Sequence, residues 1–140
     1  MRNLIRLTAV LILAALILSC AGLTREQTNH WLNSKNGGPV IDMAGKWYSG
    51  GVTTGGWGDA VFIQEGKHFH GSLGMYYVDG VAAGEDVYMA ISSGKRVYYT
   101  AHLKKLADGT ITGKAVRDMM IDQPEATGGV IYLISLKRSE

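Results

Sequence analysis

The fold is decided by the stretch EDVYMAISSGKRVYYTAHLKK, which covers residues 85–105. Apolar and polar residues alternate on both sides of Ser93-Gly94, and a period of two is typical of a β-strand that buries one face. Glycine tolerates the positive φ that a tight hairpin requires. The stretch therefore predicts two antiparallel strands, 85–92 and 96–105, joined at Ser93-Gly94.

The same pattern continues in both directions from this hairpin. The chain contains 19 glycines, and turn chemistry recurs at Glu65-Gly66-Lys67, Asp79-Gly80 and Asp108-Gly109. Strands are predicted at residues 45–51, 59–64, 68–78, 96–105, 110–117 and 129–137. A further strand is predicted at residues 85–92, together with residue 81. Seven or eight strands with short connections predict an all-β, antiparallel up-and-down meander. Closing this meander into a small barrel removes its exposed edges.

Alternation within the strands defines two faces. The more apolar face is predicted to point inward; it holds Phe69, Leu73, Met75, Tyr77, Val87, Met89, Ile91, Val97, Tyr99, Ala101 and Leu103. The interior of an eight-stranded barrel is either filled by side chains or holds one small ligand. The candidates for lining such a cavity are Trp47, Phe69, Met75, Met89 and Tyr99.

The second face carries aromatic and imidazole side chains, namely Tyr76, Tyr88, Tyr98, His70 and His102. Tyrosine is enriched where proteins meet partners, so this face is the candidate surface for docking a protein partner. If the two faces are exchanged, the same tyrosines line the cavity.

His68 and His70 are two residues apart in one strand and point the same way. Such a pair is a weak candidate for zinc, copper or nickel, and the alternative is that both rings are solvated. The sequence predicts no bound metal and no cofactor.

The first strand begins with Gly45-Lys46-Trp47-Tyr48, which resembles the Gly-x-Trp opening of lipocalins and avidins. Both families are small meander barrels that bind small molecules. The resemblance implies that Trp47 plugs one end of the barrel and that a basic residue of the last strand, Lys137 or Arg138, packs over it. The alternative is that Trp47 is a core residue of another β-barrel or sandwich.

The segment before the barrel, residues 20–43, is predicted to be a tether to a single domain at 44–140. Thr24-Arg-Glu-Gln27 has the form of a capping box, which predicts a short helix through Trp31-Leu32. Residues 33–39 are rich in Asn and Gly and predict a loop.

The first 19 residues have the features of an export signal. A basic start is followed by the apolar run 7–18, which is too short to span a bilayer. The sequence Ile17-Leu18-Ser19-Cys20-Ala21 resembles the lipobox of bacterial lipoproteins. This resemblance implies cleavage before Cys20, the only cysteine in the chain, and its lipidation with three acyl chains. It also implies a place in the cell envelope, with Ala21 favouring the outer membrane and the domain in the periplasm or at the cell surface.

Composition and motifs reduce the number of function classes that the sequence supports. Arg2 and Arg6 account for the net charge of +2, so the mature chain has no excess of basic side chains to favour nucleic acid. Catalytic signatures such as Gly-x-Ser-x-Gly or a phosphate loop are missing. The sequence therefore predicts a non-enzymatic, membrane-anchored envelope lipoprotein that binds a small or hydrophobic molecule in its barrel. The alternative is a structural or interaction module that docks an envelope protein.

Overall fold

A computed structural model describes residues 22–38, 40–49, 56–123, 126 and 128–140. The predicted signal segment 1–19 and Cys20 lie outside the described residues. The described elements are helix α1 (Arg25–Asn33) and strands β1 (Gly45–Tyr48), β2 (Ala60–Glu65), β3 (His68–Leu73), β4 (Tyr76–Ala83), β5 (Asp86–Ser93), β6 (Arg96–Lys105), β7 (Ile111–Arg117) and β8 (Ile131–Arg138).

The eight strands form one closed antiparallel barrel in which each strand pairs with its neighbour in sequence and β1 pairs with β8. This confirms the predicted all-β meander and its closure. The predicted turn glycines Gly66, Gly94 and Gly109 adopt φ values of +61°, +60° and +85°. Glycine reaches this left-handed region without steric cost, which is why the hairpins turn at these positions.

The Asp79-Gly80 turn was predicted wrongly, because both residues lie inside β4. The chain instead turns at Gly74-Met75, where Gly74 has a φ of +58°. Gly80 is needed for core packing, because a Cβ at this position would lie 2.2 Å from Cζ of Phe69. The Asp-Gly pair thus resembles a hairpin signal in sequence, whereas its glycine makes room for an aromatic ring in the core.

The turn at Gly74-Met75 changes the faces of the residues that follow it. Met75 lies in the turn with 86% of its surface exposed, and Tyr77 points outward. Tyr76 takes the inward position and packs against the core. The prediction that Met75 and Tyr77 point inward is therefore wrong. The prediction that Tyr76 points outward is wrong as well.

A register shift between Ile91 and Ser92 causes a second correction. Ser92 pairs with Val97 and Ile91 with Tyr99, so β6 has one extra residue at this point. A bulge of this kind reverses the alternation on one side of it. Val97 is consequently buried on the outer side of the sheet, beneath α1, rather than in the interior.

Side chains fill the barrel interior. The largest fully buried ones come from every strand except β2 and from the segment before β1; they include Met43, Trp47, Phe69, Leu73, Met89, Ile91, Leu103, Ile111, Ile134 and Leu136. Four of the five predicted cavity residues, Trp47, Phe69, Met89 and Tyr99, belong to the buried core cluster, and the fifth, Met75, is exposed.

Helix α1 covers the outer wall formed by β4, β5 and β6. The predicted capping box is confirmed: the Gln27 N–H donates to Thr24 Oγ1 at 3.2 Å, and the Thr24 N–H donates to Gln27 Oε1 at 3.0 Å. Trp31 and Leu32 bury their side chains against Val81 and neighbouring residues of the wall. None of the helices among the described residues is long and apolar enough to cross a membrane.

Replacing Gly80 by alanine should destabilise the barrel by about 2 kcal/mol, because the new methyl group would overlap the Phe69 ring. Gly128→Ala is the matched control, since a Cβ there meets no atom within 4 Å. Urea unfolding measures both variants. Equal stabilities would show that Gly80 is not a packing residue.

Candidate functional site

Five aromatic rings gather at one end of the barrel and are called here the aromatic mouth: Trp57, Tyr76, Tyr98, Tyr99 and Tyr132. Tyr99 is the buried centre of the cluster. Its ring centroid lies 5.0 Å from that of Trp57, 5.8 Å from that of Tyr76 and 5.3 Å from that of Tyr132. These three pairs meet nearly edge to face, which is a favourable geometry for aromatic rings.

The barrel strands and one hydrogen bond fix the positions of these rings. Tyr76 opens β4, Tyr98 and Tyr99 lie near the start of β6, and Tyr132 is the second residue of β8. Trp57 precedes β2, and its indole Nε1 donates to the Leu133 carbonyl at 2.9 Å. Trp57, Tyr76, Tyr98 and Tyr132 are only partly buried, so the mouth presents aromatic surface to the outside.

Two arginines flank the mouth beside Tyr98. The guanidinium of Arg96 lies 4.6 Å from the ring centroid of Tyr98, and that of Arg117 lies 5.8 Å from it. Asp118 accepts from Arg96 at 2.9 Å and lies 3.5 Å from Arg117. Two cationic groups therefore share one carboxylate at the edge of an aromatic surface.

The charge of Arg117 also reaches the centre of the mouth. Burial raises the pKa of the Tyr99 hydroxyl above its usual value, and the neighbouring Tyr76 hydroxyl adds to this. Arg117 acts in the opposite direction. Tyr99 therefore stays neutral near pH 7 and contributes a hydroxyl group and a ring rather than a charge.

The opposite end of the barrel is closed by Trp47 and Arg138. The Arg138 guanidinium lies 4.5 Å from the Trp47 ring centroid and donates to the carbonyls of Ala44 and Asp42, each at 2.7 Å. The Trp47 indole donates to the Met43 carbonyl at 2.8 Å. This is the arrangement implied by the Gly-x-Trp resemblance, with Arg138 rather than Lys137 as the basic residue over the ring.

A half-open depression of about 500 Å³ lies outside this closed end. Charged side chains dominate its rim; they are Asp42, Lys105, Asp108, Lys137 and Arg138. The depression is thus distinct in character from the aromatic mouth.

In the structure, the residues of the predicted partner face lie at separate places on the barrel. Tyr88 stacks on His102 with ring centroids 4.6 Å apart, and the edge of Trp31 from α1 meets Tyr88 at 5.9 Å. His102 is also held by Asp86, with Nε2 and Oδ1 2.7 Å apart. Tyr88 and His102 therefore lie beside α1, whereas Tyr76 and Tyr98 belong to the mouth. His70 is exposed on β3.

The imidazole rings do not converge. His68 and His70 are both exposed on β3, and His102 lies on β6, three strands away around the barrel. Within the described part of the chain, no three His, Cys, Asp or Glu side chains form a group that could hold a metal ion.

Sequence reasoning did not identify Trp57, Tyr132 and Arg117 as site residues. Trp57 stands between glycines in the connection from β1 to β2, and large aromatic residues in such connections are a signal for function. Tyr132 and Arg117 reach the mouth only through strand register, which pairs Arg117 with Tyr99 and Tyr132 with Ala115. No single-sequence pattern reveals these neighbours.

No known protein family, curated protein or solved structure matches this chain.

Replacing Arg138 by methionine should lower the free energy of unfolding by about 2 kcal/mol. The variant loses two charge-assisted hydrogen bonds and the cation–π contact with Trp47, while the aliphatic stem is retained. Lys137→Met is the matched control, because Lys137 is exposed and adjacent. Urea unfolding followed by tryptophan fluorescence measures both. If Lys137→Met loses as much stability, the assignment of Arg138 as the residue that closes this end of the barrel is wrong.

Asp122 gives the attachment of α1 a pH dependence. Partial burial opposes its ionisation, but hydrogen bonds from Lys35 and Trp31 outweigh burial and lower the pKa of Asp122 below 3.8. A lowered carboxyl pKa stabilises the fold above the unfolded pKa, and this stability is lost as the pH falls through the folded pKa. Asp122→Asn should cost about 0.5–1 kcal/mol at pH 7, a modest value because the side chain is partly exposed. The difference from the wild type should shrink as the pH falls below 3.8 and vanish once the pH lies below the lowered pKa of the folded state; a difference independent of pH would contradict this assignment.

Proposed function

We propose that this protein is a lipid-anchored envelope protein that binds a small molecule at the aromatic mouth and performs no catalysis. The molecule has a flat apolar ring and a negatively charged group. The observation that supports this proposal is the cluster of five rings with two arginines at its edge, at the end of the barrel opposite the charged rim.

The packing of the barrel directs the ligand to the mouth rather than the interior. Phe69, Met89 and Trp47 are buried to at least 98% within the core, and their neighbours are equally enclosed. Four of the mouth rings are only partly buried. Aromatic rings stack on flat apolar groups, while Arg117, whose side chain is 49% exposed, offers planar donors to an anion.

The anchor is supported by sequence alone, through the lipobox resemblance at Cys20. The resemblance of the barrel to lipocalins is supported by the Trp47–Arg138 contact and by the eight-stranded meander. Both features favour a small ligand-binding protein held at a membrane of the cell envelope, with the outer membrane favoured by Ala21.

A second candidate function is docking of an envelope protein through the outer wall formed by β8, β1 and β2. This wall lies opposite α1 and exposes large apolar side chains, namely Tyr48, Val61, Ile63 and Leu133. Exposed apolar groups on one wall are typical of interaction surfaces. This version of the interaction hypothesis uses different residues from the predicted Tyr and His face.

The experiment uses the full lipidated chain, purified in mild detergent from the envelope of the expressing bacterium. Native mass spectrometry detects a co-purifying small molecule, and titration with 8-anilinonaphthalene-1-sulfonate, an aromatic anion, tests the mouth directly. Trp57→Ala and Arg117→Gln should each weaken binding about fivefold, which corresponds to the loss of one aromatic or charged contact.

Tyr48→Ala is the matched control, since Tyr48 is an exposed tyrosine on β1 outside the mouth. Unfolding in urea verifies that each variant is folded. If Trp57→Ala binds the probe as tightly as the wild type, or Tyr48→Ala binds it equally weakly, the mouth is not the site. Palmitate labelling that persists in Cys20→Ser would contradict the anchor.

A further inference from the structure

The N-terminal chain joins the barrel at the rim of the aromatic mouth. The Val97 N–H donates to the Leu23 carbonyl at 3.3 Å, and Thr24 forms a β-bridge with Arg96. Both contacts lie at the start of β6, directly before Tyr98. Helix α1 then runs away from the mouth towards the far end of β4, since a Cβ added at Gly37, beyond the end of the helix, would lie 3.5 Å from the carbonyl carbon of Ala83.

This path limits how far the barrel can stand from the anchor. Leu23 is three positions beyond Cys20 in the chain, and an extended chain of that length reaches at most about 11 Å. The ten residues of β6 extend about 33 Å, or about 25 Å along the axis of a barrel with tilted strands. A lipid on Cys20 therefore reaches the mouth end of the barrel and not the closed end.

The two ends differ in the chemistry that they expose. The connections at the mouth expose large apolar and aromatic groups beside charged ones such as Lys95 and Asp118: Met75 is 86% exposed, Val130 is 69% exposed and Trp57 is partly exposed. The turns at the closed end carry mainly charged side chains, including Glu65, Lys67, Glu85, Lys105 and Asp108, with Leu106 and the nearby Val40 as apolar exceptions.

We infer that the aromatic mouth rests on the phospholipid surface of the membrane that holds the lipid of Cys20. Tryptophan and tyrosine favour the boundary between headgroups and acyl chains, because their rings are apolar and their tips are polar. Met75 and Val130 enter the same boundary, and Arg96 and Arg117 meet the phosphates. This inference rests on the anchor of the proposed function, and it places the ligand site where molecules enter from the membrane.

Fluorescence quenching in vesicles tests the orientation. The full lipidated chain is reconstituted into vesicles of phosphatidylethanolamine and phosphatidylglycerol that contain a lipid brominated near the headgroup. Bromine quenches only tryptophans close to it. We expect quenching in the wild type and its loss in Trp57→Phe, because Trp47 lies at the closed end and Trp31, on α1, is buried against the outer wall of the barrel.

A matched pair of exposed residues controls for general effects of charge. Met75→Glu, at the mouth, should reduce the quenching, whereas Leu106→Glu, at the closed end, should leave it unchanged. Quenching that survives in Trp57→Phe, or that changes equally in Met75→Glu and Leu106→Glu, would overturn the inference.

Flotation of the same samples separates this inference from the anchor. Protein that floats with the vesicles but shows no quenching retains its lipid, so only the orientation is wrong. Protein that does not float lacks the anchor, so the orientation fails together with the anchor of the proposed function. Probe binding at the mouth, measured in detergent, is independent of either outcome.

Discussion

Closure of the barrel depends on a short seam between its first and last strands. β1 has four residues and meets β8 at two residue pairs, Trp47 with Arg138 and Tyr48 with Lys137, whereas β5 and β6 are joined along eight. Arg138 reinforces this seam by binding Ala44 across 94 positions of sequence. Bringing such distant residues together costs chain entropy. The buried indole of Trp47 beneath Arg138 offsets that cost, and without the seam two strand edges and the core would be exposed.

The main features of the fold could be predicted from turn chemistry and alternation, and the exceptions have physical causes. The hairpins at Gly66, Gly94 and Gly109 could be predicted, because their turns need a residue with a positive φ. Gly80 was mistaken for a turn because the space it leaves for Phe69 is created by an adjacent strand. The missed turn at Gly74 then placed Met75 and Tyr76 on the wrong faces, since one misplaced turn changes every assignment up to the next one.

The candidate site could be predicted only in part. Tyr76, Tyr98 and Tyr99 were identified as notable residues, although they were divided between two faces. Their convergence depends on the bulge at Ile91 and on the pairing of β6 with β7, neither of which leaves a mark in one sequence. The filled interior also followed from packing rather than pattern, since an alternating strand reads the same around a cavity and around a solid core. Because the interior is filled, both proposed binding surfaces lie elsewhere, one at an end of the barrel and one on an outer wall.

Helix α1 lies between the N-terminal chain and the barrel, and this has a mechanical consequence. A pull on the N-terminus acts first on the hydrogen bond between Val97 and Leu23, and then on the contact of Arg25 with Ser92. These bonds are few and lie at the surface, so they yield before the strands do. The force would peel the helix from β6 while the seam and core stay intact. With the proposed lipid on Cys20 holding the N-terminus, the helix would therefore detach before the barrel unfolds.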